Sequence, residues 1–150
     1  MADQKASPES SYQTIFIVWA ALLFSQFIFA VLVYFVKPEL RQLDLSAPLL
    51  GDQPAIVVVF ASVGVLSLIL GQILKGRVLE RSVAEQNVGL VQTATIVASA
   101  LAEVSSLLGV MLAFAFGYRY FLAFIVVGIV GVLMAFPRRS QVHAASFKRL

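Results

Sequence analysis

The sequence predicts an all-α fold built as a four-transmembrane-helix bundle, and three observations predict it. Hydrophobic residues make up 60% of the 150 residues and charged ones only 13%, where an ordinary soluble domain approaches about a quarter charged. The mean hydropathy is +0.92. The apolar residues also fall into four separate runs, Ile15 to Val36, Ala55 to Leu74, Leu90 to Phe116 and Tyr118 to Phe136, each about the ~20 residues that cross a ~30 Å hydrocarbon core as a helix.

The punctuation between the runs agrees with this division. Lys37-Pro38 closes the first helix, Pro54 suits the first turn of the second, and Gly117 separates the third from the fourth. Pro137 with Arg138 and Arg139 closes the last, because proline lacks the N–H that would continue a helix. The expected spans are 15–36, 55–74, 88–116 and 118–136, with a polar tail at 1–14 and a basic tail at 137–150. Ser82-x-x-Glu85 has the spacing of a capping box, which predicts that the third helix starts near Ser82, ahead of its apolar run. A helix from Val83 to Phe116 would rise roughly 50 Å, more than the bilayer core, and so would tilt or project. Tyr12, Tyr34, Tyr118 and Tyr120 lie near the expected boundaries and suit interfacial belts, and Arg119 can snorkel from the start of the last span.

The N-terminal residues lack a basic n-region and lead into a run too long for a signal-peptide core, so the first span is expected to be retained. Lys5, Lys75, Arg77, Arg81, Arg138, Arg139, Lys148 and Arg149 would share one side of the membrane, leaving Lys37, Arg41 and Arg119 on the other. The positive-inside rule then places both termini and the middle loop in the cytoplasm of a multi-pass protein of the inner (plasma) membrane. The loop from Lys37 to Pro54, with Glu39, Asp44 and Asp52, would face outward. The net charge of +3 comes from these scattered segment ends, which fits topology and not nucleic-acid binding.

Glu103 is the one formal charge in the interior of the four runs, near the middle of the third, with Arg119 standing at the edge of the fourth. A carboxylate at that depth is costly unless protonated, paired or facing water, which makes an intramembrane acid a functional candidate. No basic residue shares its depth, so the acid is expected to hold its proton at rest and to be a candidate proton-binding group. Gln92, Thr95, Ser99, Glu103 and Ser106 recur at offsets of three and four and form a polar stripe. Beside it, Ala94, Ala98, Ala102, Ser105 and Gly109 form a stripe of small side chains, which lets another helix approach closely in lipid. The natural partner is the second helix, with Ala61, Gly64 and Gly71; Gly128 and Gly131 offer a similar face on the fourth. Ser25 and Gln26 lie near the midplane of the first helix, and Gln26 is the expected hydrogen-bond partner of Glu103, with Ser99 and Ser106 in support.

The segment Ala100-Leu101-Ala102-Glu103, followed by Val104-Ser105-Ser106-Leu107-Leu108-Gly109, resembles the carboxylate-bearing helix of the proteolipid c-subunit of rotary ATP synthases. The resemblance covers roughly Ala55 to Phe116. It implies a hairpin whose polar turn is Lys75 to Gln86 and whose membrane carboxylate, Glu103, binds the transported ion. Over its full length the chain also looks similar to small uncharacterised four-helix bacterial membrane proteins, which share an alanine-rich helix with a central Glu and an aromatic last span closed by Pro-Arg-Arg.

Other chemistry is not indicated. The chain has no cysteine, and His143 has no neighbouring Cys, Asp or Glu, so no metal site is expected. Gly71 to Gly76 lacks the Ser or Thr after Lys75 that a phosphate loop needs. The expectation is a non-enzymatic membrane subunit without cofactor or nucleic-acid partner, assembled in the bilayer as a homo- or hetero-oligomer. Either Glu103 binds protons, or it only hydrogen-bonds between helices in a structural or assembly role.

Overall fold

A computed structural model of the chain describes residues 7–42 and 46–146. Lys5, Asp44, Lys148 and Arg149, used above for topology, lie outside the described residues. Among those described, the fold is all-α: α1 (Pro8–Val36), a 3₁₀ turn (Pro38–Leu40), α2 (Pro54–Ala84), α3 (Val88–Phe116), α4 (Phe121–Met134) and α5 (Arg139–Ser146). Three of these, α1, α2 and α3, are long and apolar enough to cross a membrane, and α4 with α5, bent by 41°, would make a fourth.

The helices extend beyond the apolar runs wherever a cap or a polar first turn allows. α1 begins at Pro8, seven residues before its apolar run, because the Ser7 hydroxyl accepts the Ser10 N–H at 3.3 Å and Pro8 suits the first helical position. Part of the expected 1–14 tail is therefore helical. α2 runs past its apolar run to Ala84, so the expected capping box at Ser82 does not form. Ser82 sits inside α2 and its hydroxyl donates to the Leu79 carbonyl at 2.6 Å. The turn is made instead by Gln86, at φ 51°, and by Asn87, whose side chain accepts the Gly89 N–H at 2.9 Å and caps α3.

At its other end α3 stops at Gly117, in the left-handed conformation at φ 61°; the Gly117 N–H donates to Ala113 and the Tyr118 N–H to Leu112. Tyr118 and Tyr120 then reach the loop between α1 and α2, donating their hydroxyls to the Leu49 and Ala47 carbonyls at 2.9 Å each. This anchoring delays α4 until Phe121, and the helix ends at Met134, shorter at both ends than the expected 118–136. Its 14 residues rise only about 21 Å. The expected C-terminal tail contains α5, which lays Val142 and Ala145 against Ile15 of α1 and Val91 of α3.

α3 is the central helix, touching α1, α2, α4 and α5, and most extensively α2. Its small residues explain this. A Cβ added at Gly64 of α2 would meet Ser105 Oγ at 3.1 Å, and one at Gly71 would meet Leu101 Cβ at 3.1 Å and the Ala98 carbonyl at 3.2 Å. On the α4 side, a Cβ at Gly109 would come within 2.6 Å of Phe124 Cβ, and one at Gly131 within 2.6 Å of Ala102 Cβ. Ala94, Ala98 and Ala102 are fully enclosed, while Ala61 packs at the edge of the apolar cluster around Val57, Leu112 and Phe124. Trp19 fixes α1 to α4 by donating its indole N–H to the Val132 carbonyl at 2.7 Å and by stacking edge-on with Phe136 at 4.9 Å.

Candidate functional site

The polar groups of the interior gather where α1, α3 and α4 meet at mid-length. Glu103 projects from the middle of α3 toward α1, where it is half-buried. Its partner is Ser25: Ser25 Oγ lies 2.6 Å from Glu103 Oε1 and 2.7 Å from the carbonyl oxygen of Leu22, one turn earlier on α1. Gln26, the partner expected from the sequence, points elsewhere. Adjacent residues on a helix diverge by about 100°, so Ser25 and Gln26 cannot both face one side chain, and the amide of Gln26 reaches the next turn of α3.

There the Ser106 hydroxyl donates to Gln26 Oε1, with the Ile125 carbonyl at 3.5 Å as its other neighbour. Gln26 and Ser106 are both fully buried. Gly128 of α4 is the wall of this pocket, because a Cβ there would collide with Ser106 Oγ and lie 2.8 Å from Gln26 Oε1. Only a glycine lets α4 close over the pair.

The rest of the polar stripe divides. Ser105, from the adjacent small-residue stripe, turns to α4, donating to the Phe124 carbonyl at 3.1 Å. Thr95 is buried but folds back on its own helix, donating to the Val91 carbonyl at 3.0 Å. Ser99 is buried and its hydroxyl has no hydrogen-bond partner among the described residues, and neither has Gln26 Nε2. Gln92 lies outside the mid-length cluster, in a cleft beside Ser10, Ser11 and Thr14 near the start of α3. The structure thus brings Glu103, Ser106 and Gln26 together with Ser25, while Gln92 and Thr95 stand apart.

Lys75 is a site residue that topology reasoning concealed. Read from the sequence as a charge marking one membrane side, it is buried, and its Nζ donates to the Met134 and Phe136 carbonyls at 3.2 and 3.3 Å. A cation at that position complements the negative end of the α4 dipole and meets carbonyls left open where Pro137 interrupts the chain. A lysine two-thirds along α2, followed by Gly76, was the visible signal; the carbonyls it meets lie 59 and 61 residues away.

Comparison of the chain with known protein families, with curated proteins and with solved structures finds no match.

Proposed function

We propose that this protein is a small, non-enzymatic integral membrane subunit that holds a proton on Glu103, in a manner like that of the c-subunit carboxylate it resembles. In this reading α1, α2, α3 and the α4–α5 pair cross the plasma membrane with both termini cytoplasmic, and the chain assembles with copies of itself or with other membrane proteins.

The hydrogen count at Ser25 carries the reading. A hydroxyl has one hydrogen, yet Ser25 Oγ has two oxygens at 2.6 and 2.7 Å, Glu103 Oε1 and the Leu22 carbonyl. Two oxygens at such a distance with no hydrogen between them repel. The carbonyl has none to give, and one hydroxyl hydrogen would have to be shared between the two contacts, so each becomes a full hydrogen bond when the second hydrogen comes from Glu103. The acid then donates to Ser25, Ser25 donates to Leu22, and the neutral carboxyl avoids the cost of an ion in lipid. Ser25 positions the proton, while the Gln26–Ser106 pair fixes α1 beside α3.

A structural reading is favoured by a different observation: Ser25–Glu103 and Gln26–Ser106 are neighbouring links between the same two helices, enough to set their register without any proton exchange. A hydrophobic carbodiimide, which reacts with protonated carboxyls in lipid, separates the two. Proton binding predicts labelling of Glu103 that falls as pH rises. Labelling that does not change with pH, or a Glu103→Gln variant that keeps both assembly and any proton-linked activity, would leave only the structural role.

A further inference from the structure

We propose that the groove between α1 and α4, at the end of the molecule that carries the 37–53 loop, binds one anionic phospholipid. Its phosphate would lie between Arg41 and Arg119 and an acyl chain along Ala30, Val31 and Leu122. The inference rests on the reading that these helices cross a bilayer.

The groove encloses about 290 Å³ and is lined by those five residues together with Tyr34, Leu40 and Phe121. Its polar and apolar parts are separated along its length. Arg41 and Arg119 both lie in the chain just beyond the loop-end termini of α1 and α4, and the other six lining residues are aliphatic or aromatic. That is the layout of an amphiphile with a negative head, because guanidinium groups match phosphate oxygens in pairs and the apolar wall continues into the exposed surface of α1. The volume is at the lower end for ligand clefts, about 300 Å³, so it suits a phosphoglycerol head and the top of one chain.

Two further features favour the phosphate. Arg41 is already ordered: its Nε donates to the Tyr34 carbonyl at 2.9 Å, and its guanidinium carbon lies 4.7 Å from the centre of the Tyr34 ring. The ordering entropy of a long side chain is therefore met before the ligand arrives. The groove also contains Phe121 and Leu122, the first two residues of α4. No side chain among the described residues caps that N-terminus and no acid stands in its first turn, so the positive end of its dipole adds to the attraction. The nearby carboxylate of Glu39 is paired with Lys37 at 3.6 Å. The neighbouring cavity that shares Arg119 is lined by Asp52, and a carboxylate there disfavours a second anion.

The test uses the full chain, first shown to remain in vesicles after alkaline extraction and then released in neutral detergent with equimolar phosphatidylglycerol and phosphatidylcholine. Native mass spectrometry is expected to find one phosphatidylglycerol retained in several-fold preference. The preference should vanish in R41Q/R119Q, persist in part in R41K/R119K, and remain in R77Q, a control at the opposite end of α2. Equal retention of the two lipids by the wild-type chain overturns the proposal without reference to any variant. So does an unchanged preference in a folded R41Q/R119Q, or full displacement of the lipid by inorganic phosphate, which would mark a site for the free anion. Loss of the chain from vesicles during extraction would instead overturn the membrane-spanning reading, and the lipid site with it.

Discussion

Gly109→Ala is the sharpest test of how closely α3 and α4 approach. The new methyl would lie 2.6 Å from Phe124 Cβ and 2.9 Å from the Phe121 carbonyl oxygen. Neither atom can rotate away, since one is fixed to the backbone and the other belongs to it. To restore even the 3.4 Å at which ordinary contact begins, the helices must separate locally by about 0.8 Å. The same movement lengthens the Ser105–Phe124 hydrogen bond, now 3.1 Å and one turn away. Overpacking of this kind costs about 1–3 kcal/mol, and an interhelical hydrogen bond in lipid contributes about 0.6 kcal/mol, so a loss of about 2–3 kcal/mol is expected. Gly76→Ala is the internal control, because nothing lies within 4 Å of its added Cβ; it should be neutral or stabilising by about 0.5–1 kcal/mol, as for any exposed helical glycine. Reversible unfolding in mixed micelles, followed by circular dichroism, measures both. Equal effects of the two substitutions would refute the close α3–α4 contact.

Three other consequences follow from the same geometry. Ser106→Ala removes the hydroxyl that donates to buried Gln26 Oε1 and should cost about 1–3 kcal/mol. The double change with Gln26→Leu, which also deletes an amide nitrogen that has no partner, should recover most of that loss in the same unfolding assay. Lys75→Met strips the Met134 and Phe136 carbonyls of a charged donor, an effect of about 1.5–3 kcal/mol. Amide exchange over 135–146 should accelerate while the middle of α3 stays protected, and unchanged exchange at α5 would remove Lys75 from that role. Asn87→Ala loses the α3 cap, for an expected cost of about 1 kcal/mol.

Apolar run length revealed where the long helices lie but not where they end. Ile15 to Val36 and Ala55 to Leu74 lie inside α1 and α2, because a lipid-compatible stretch also favours backbone hydrogen bonding within the segment. Beyond those stretches the boundary is decided by local caps, as at Ser7 and Asn87, or by tertiary ties, as where Tyr118 and Tyr120 hold the turn before α4. The small-residue spacing was legible for a related reason. Residues at offsets of three and four must share a face, so Ala98, Ala102 and Ser105 could be read as a contact surface before any contact was known. The partner of Glu103 was not legible, since sequence places both Ser25 and Gln26 at the right depth and only the rotation of α1 distinguishes them. Lys75 escaped notice because its charge suited a topological reading, and the carbonyls it meets come from the far end of another helix.

The protonation state of one side chain is the centre of the account, and infrared spectroscopy of the reconstituted protein at neutral pH reads it directly. A carboxylic-acid carbonyl band that disappears in Glu103→Gln and shifts in Ser25→Ala is the predicted result. A Glu103 signal found only among the carboxylate bands would contradict the hydrogen count at Ser25 and the proton-binding proposal built on it.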